Sequence, residues 1–217
     1  MRPQAPAEPP KDCGLCPRLA AFRLENSAAE PDWFNGAVPS FGEEKARLAI
    51  VGLAPGLRGA NRTGRPFTGD FAGQLLYATL LAYGFARGTY AERADDGLTL
   101  IDTLITNAVR CVPPQNKPER AEIATCRQFL AYRLAQLPRL RIVLALGRIA
   151  HESVCAVLGV KLKAAPFAHG AVHELAGGLL LIDSFHCSRY NTNTGRLTAK
   201  KFEDVFKDIR ARLEASS

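Results

Sequence analysis

Apolar residues in this chain fall into four short continuous runs, separated by longer segments where apolar and polar positions follow a helical period. The first run, Arg47-Leu48-Ala49-Ile50-Val51-Gly52-Leu53, reads as a buried strand and stops at Ala54-Pro55-Gly56. A Gly-rich loop from Gly56 to Gly69 then leads into helical spacing over Phe71 to Tyr83. Leu100 to Val109 predicts a second strand, and Ala121 to Leu137 a helix. Arg141 to Gly147 is the third strand, followed by a helix to Leu158. Leu179 to Phe185 is the fourth strand, and Thr198 to Leu213 a closing amphipathic helix. A short helix over Leu19 to Glu25 precedes them all. Strands that are apolar on both faces and alternate with helices predict an α/β fold with a largely parallel central sheet between helical layers. Residues 1–11, with four prolines, predict a disordered lead, and 12–217 a single domain.

In such a sheet, ligands bind beyond the carboxyl ends of the strands. Three polar segments meet there: Gly52 to Gly56 with Asn61 to Asp70, Thr106 to Cys111 with Pro113 to Pro118, and His186 to Thr198. They bring together a carboxylate, an imidazole, side-chain amides and several arginines. That set suits addition of water with stabilisation of a leaving group. Covalent nucleophilic catalysis is not indicated, because no Cys–His or Ser–His pair has a family-like spacing. Neither a G-x-x-x-x-G-K-[ST] loop nor G-x-G-x-x-G is present.

Charge narrows the partner. Twenty-eight Lys and Arg stand against 21 Asp and Glu, a formal net charge of +7, which favours a polyanion and nucleic acid first. No apolar run reaches transmembrane length and no signal peptide is visible, so a soluble, intracellular protein without a membrane partner is expected.

Four of the six cysteines form a pattern. Cys13 and Cys16 make C-x2-C, and after a gap of 94 residues Cys111 and Cys126 make C-x14-C. Four thiolates brought to one place suit a [4Fe–4S] cluster or a structural zinc, and the absence of a secretory leader weighs against disulfides. Cys155 reads as a buried helix thiol, and Cys187 is left over.

With these residues in order, the chain resembles the family-5 (UdgB-type) uracil-DNA glycosylases, an iron–sulfur branch of the uracil-DNA glycosylase superfamily. The resemblance rests on the cysteine spacing, Gly52-Leu53-Ala54-Pro55-Gly56, the run Asn61 to Asp70, Arg110-Cys111 with Pro113-Pro114-Gln115-Asn116-Lys117-Pro118, and His186 with Ser188-Arg189 and Thr194-Gly195-Arg196. It extends from about Cys13 to the closing helix. Family-4 relatives share the cluster but carry glutamate after the first glycine of this motif, where this chain has Leu53.

The resemblance implies a three-layer αβα sandwich around a four-stranded parallel sheet, and a [4Fe–4S] cluster on Cys13, Cys16, Cys111 and Cys126. It implies a monofunctional glycosylase that flips uracil, and in this family other deaminated bases, out of DNA and hydrolyses the glycosidic bond. Asp70 and Asn116 match positions that hold the attacking water, with Asp70 as base, and His186 the donor to the departing base. Gly52, Ala54, Gly56 and Phe67 match the base pocket, with Phe67 stacked on the flipped base. Asn107 either reads the uracil edge or satisfies backbone groups. Arg62, Arg65, Arg189, Tyr190 and Arg196 are expected to contact DNA. An imine-forming role for Lys117 is not implied. The expected setting is a monomer at the nucleoid of a prokaryotic cytoplasm. A non-catalytic nucleic-acid-binding module with a structural metal and a family-4-type enzyme are the alternatives.

Overall fold

The computed structural model describes residues 8–215. In chain order these form α1 (Pro17–Ala29), β1 (Phe41–Gly42), β2 (Leu48–Gly52), α2 (Ala60–Thr63), α3 (Phe71–Ala82), β3 (Ala86–Arg87), β4 (Thr99–Leu100) and β5 (Thr103–Asn107). They continue with α4 (Arg120–Ala135), β6 (Ile142–Leu146), α5 (Arg148–Leu158), β7 (Val172–Glu174), β8 (Leu180–Ser184), α6 (Arg189–Asn193) and α7 (Ala199–Ala215). The main sheet has the order β1-β5-β2-β6-β8-β7.

Its four inner strands, β5, β2, β6 and β8, are parallel, and they are the four apolar runs of the sequence. The sheet is nevertheless six-stranded, because β1 and β7 add antiparallel edges of two and three residues. The two edges carry no apolar run of their own, being only half-buried or exposed. The segment Leu100 to Val109, expected as one strand, is also divided: Thr99–Leu100 pairs with Ala86–Arg87 in a separate two-stranded ribbon.

Alternation along the strands builds both cores. Leu48 and Ile50 of β2, with Ile142 and Leu144 of β6, face α3 and α7. Ala49 and Val51, with Val143 and Ala145, face α4 and α5. Burial of a side chain such as Ile50 or Leu144 contributes about 1.5–3 kcal/mol, which explains why these runs are apolar on both sides. Helix starts are set locally: Asp70 caps α3 through Gly73 N, and Glu119 and Glu122 form a capping box on α4.

The expected disordered lead needs correction in part. Residues 1–7 lie outside the described residues, but Glu8 is fixed by ion pairs of 2.7 Å to both Arg110 and Arg133. Pro9 is buried, and the Lys11 carbonyl accepts from Ala37 N. No helix among the described residues is long and apolar enough to cross a membrane.

Candidate active site

Parallel pairing sets Gly52, the last residue of β2, directly beside Asn107, the last of β5. Beyond these ends opens a cavity of about 610 Å³, walled by Leu53 to Gly59, Phe67, Asp70 to Ala72, Asn107, Asn116, His186, Ser188 and Arg189. Three segments far apart in sequence meet in it. Gly52 makes the floor possible: a Cβ there would overlap both Asn107 Oδ1 and the ring of Phe67.

Asp70 performs two local tasks with its two oxygens. Oδ1 accepts from Gly73 N at 2.9 Å and starts α3. Oδ2 lies over the Gly56–Gly59 turn, 3.1 Å from where a Cβ on Gly56 would stand. Burial raises this carboxyl above its ordinary 3.8, so it binds a proton more readily than an exposed aspartate. Asn116 ends a short 3₁₀ turn, Pro114–Asn116, in which Gln115 and Asn116 both take left-handed φ values of 55° and 57°. On that exposed turn Asn116 lines the same cavity.

His186 follows β8, with its carbonyl held by Asn191 Nδ2 at 2.8 Å. Its ring lies 5.8 Å from that of Phe67 with 28° between the planes. Burial alone pushes the imidazole down to about 4, so it is neutral at neutral pH and retains one N–H to donate. Asn107 is 3% exposed, and its Oδ1 has no hydrogen-bond partner among the described residues. A buried acceptor left unpaired is costly, and this one lies against Gly52 in a residue that lines the cavity.

Ala54 and Gly56 line the cavity, and Gly52 lies beneath it. Of the expected DNA-contacting residues, Arg189 stands at the wall over the Phe71 ring at 5.3 Å, and Tyr190 is 72% exposed. Arg196 stacks 4.3 Å from the Phe185 ring in an adjoining groove that shares Leu53 and His186 with the cavity. Arg62 is exposed and bonds the Arg58 carbonyl. Arg65 is a correction: it is 4% exposed, forked onto Asp96 by two 2.8 Å bonds, and unavailable to phosphate. Ser188, quoted above with His186, also stands in the wall; Arg58, in the wall too, was not singled out from the sequence and sits two residues past the Gly52–Gly56 motif.

Cys13, Cys16, Cys111 and Cys126, all free thiols, line one small cavity with Leu19, Val109 and Phe129. Arg23 donates from Nη1 to Cys111 Sγ at 3.0 Å and from Nη2 to the Cys13 carbonyl. Arg110 N donates to Cys126 Sγ at 3.3 Å. The Arg110 side chain, fully buried at the same cavity, leaves Nε and Nη2 unpaired among the described residues. Burial and the other thiolates push the Cys126 thiol up to about 12. Among the described residues, no three His, Cys, Asp or Glu side chains converge closely enough to hold a single metal ion.

Residues 39–210 match the family described as the uracil DNA glycosylase superfamily. The chain belongs to that superfamily. The uracil DNA glycosylase match contains the whole cavity wall together with Cys111 and Cys126, while Cys13 and Cys16 precede it. A type-5 uracil-DNA glycosylase of Thermus thermophilus is 45% identical, the alignment covering 91% of this chain and 92% of the relative. One from Mycobacterium leprae is 41% identical over 91% and 90%. A type-4 uracil-DNA glycosylase of Pyrobaculum aerophilum is 36% identical over a shorter span, 69% of this chain and 62% of its own.

Proposed function

We propose that this protein is a uracil-DNA glycosylase of the type-5 kind, which takes a base extruded from DNA into the cavity and hydrolyses its N-glycosidic bond. Such a base cannot be reached within the duplex, so it must leave the stack, and Phe67 offers the face on which it rests. Cleavage develops positive charge on the sugar and negative charge on the departing base. Asp70, with Asn116, holds and deprotonates the attacking water, its raised proton affinity matching that task. Neutral His186 donates its N–H to the base oxygen as charge builds there. The amide of Asn107, whose Oδ1 is unpaired among the described residues, meets the edge of uracil. The same carbonyl-beside-N–H edge occurs in hypoxanthine and xanthine, which we include as secondary substrates. The product is an abasic site, the starting point of base excision repair.

The observation that carries this reading is the convergence of Asp70, Phe67, Asn107 and His186 on one cavity at the strand ends. Type 5 is preferred over type 4 because Leu53 replaces the glutamate of the type-4 motif, and because the type-5 likeness spans more of the chain. Arg62, Arg189, Tyr190 and Arg196 supply DNA contacts, and residues 12–217 act as one monomeric unit on DNA in the cytoplasm.

The four cysteines fit a [4Fe–4S] cluster. All four line one cavity, as a single group held by four thiolates requires. The unpaired guanidinium nitrogens of Arg110 and the Arg23–Cys111 bond supply cationic donors for an anionic group. When bound, the cluster ties the start of the chain to its middle. Incubation with duplex DNA containing a single uracil tests the proposal: free uracil and an intact abasic strand are expected. Absence of base release, or strand cleavage at the site without added alkali, contradicts it.

A further inference from the structure

Phe67 stands at φ +54°, a left-handed conformation that a bulky residue rarely adopts, so the surroundings must hold it there. What holds it lies outside the cavity. The Tyr90 hydroxyl accepts from Gly69 N and donates to the Phe67 carbonyl, both at 3.3 Å, and so bridges the backbone on either side of Thr68. Gly73 of α3 closes the other side, where a Cβ would overlap both the Phe67 carbonyl and the Tyr90 hydroxyl. The Tyr90 ring stacks on Tyr77 at 4.5 Å, and the Tyr77 hydroxyl donates to the Pro66 carbonyl at 2.6 Å.

Asp96 organises the segment that carries Tyr90. Besides its fork with Arg65, it accepts from Ala91 N at 2.9 Å and Leu98 N at 3.1 Å. Arg65 in turn donates from Nε to Thr68 Oγ1 at 2.7 Å, with its guanidinium against the rings of Tyr77 and Tyr90. The excursion between β3 and β4 therefore grips residues 65–69 at Arg65, Phe67 and Gly69. Burial keeps the Tyr90 hydroxyl protonated, pushed up to about 12, so it can serve both backbone groups.

We propose that Tyr90, held by the Asp96–Arg65 pair, is a positioning residue that fixes the ring of Phe67 in the pose that receives the extruded base. The inference rests on the assignment of Phe67 as the base-stacking face. A loosened Phe67 would leave the base off line from Asp70 and His186, a misplacement that reduces rate more than affinity.

The test is a double-mutant cycle with Tyr90→Phe and Phe67→Ala, read by single-turnover uracil excision at saturating enzyme, by affinity for uracil-containing duplex and by thermal melting. Tyr90→Phe keeps the ring and its stacking, so melting close to wild type is expected. Its excision rate should fall roughly tenfold or more with DNA affinity unchanged. In the Phe67→Ala background the same change should have almost no further effect. A wild-type rate in Tyr90→Phe, losses that simply add, or a loss confined to affinity would each overturn the proposal. An unaffected rate in Phe67→Ala alone would instead remove the stacking assignment on which it rests.

Discussion

The imidazole of His186 lies nearly parallel to the ring of Phe67, with 28° between the planes and 5.8 Å between the centroids. The proposed stacking face and the proposed donor are thus fixed against each other. They come from opposite ends of the domain, one from the loop after β2 and one from the loop after β8.

His186→Ala removes the proposed donor without removing the proposed stacking face. Loss of one preorganised donor costs on the order of a hundredfold in the chemical step. Because burial holds His186 near 4, the wild-type rate should show no histidine limb around pH 6.5. Single-turnover excision across pH 5–8 checks both statements; a limb near 6.5 that vanishes in the variant would contradict the neutral-donor role.

Asn107→Ala removes a buried amide whose oxygen has no hydrogen-bond partner among the described residues. Uracil presents a carbonyl and a ring N–H to such an amide, and hypoxanthine presents the same pair on a larger frame. Uracil excision is expected to slow more than hypoxanthine excision. Rates on the two substrates under single-turnover conditions decide it, equal losses assigning Asn107 to the scaffold.

Cys111→Ser removes a thiol that Arg23 also contacts, and with it a link between α1 and the segment before α4. Bound iron and sulfide should drop sharply, and the yield of folded protein with them. Iron analysis of anaerobically purified protein is the measurement, and wild type without iron would overturn the cluster assignment.

The four inner strands were legible because each is buried on both faces and so is a continuous apolar run; Ile142–Leu146 is the clearest case. The edges β1 and β7 were not, since two or three half-buried or exposed residues leave no periodicity to read. Asp70, Asn107, Asn116 and His186 were legible as polar residues at strand ends, and the cavity brings them together. Arg65 was misread because it sits among loop residues that look exposed, and its partner Asp96 lies 31 positions away with no motif to mark it. Tyr90 and Arg23 were missed for the same reason: each acts through a contact that only the folded chain creates.

Activation of water in the proposed reaction falls to Asp70. Asparagine at this position keeps the helix cap, so Asp70→Asn removes the base while leaving the start of α3 intact. Folding raises the Asp70 pKa above the ordinary 3.8, so the ionised form costs the folded state stability at neutral pH. Asp70→Asn should therefore melt no lower than wild type at pH 7, any gain disappearing below the ordinary carboxylate range. Single-turnover release of uracil at saturating Asp70→Asn enzyme is the most direct measurement. We predict a rate about a hundredfold or more below wild type, with the wild-type acid limb abolished and DNA binding retained. A wild-type rate in this variant would contradict the assignment of Asp70 as the residue that activates water.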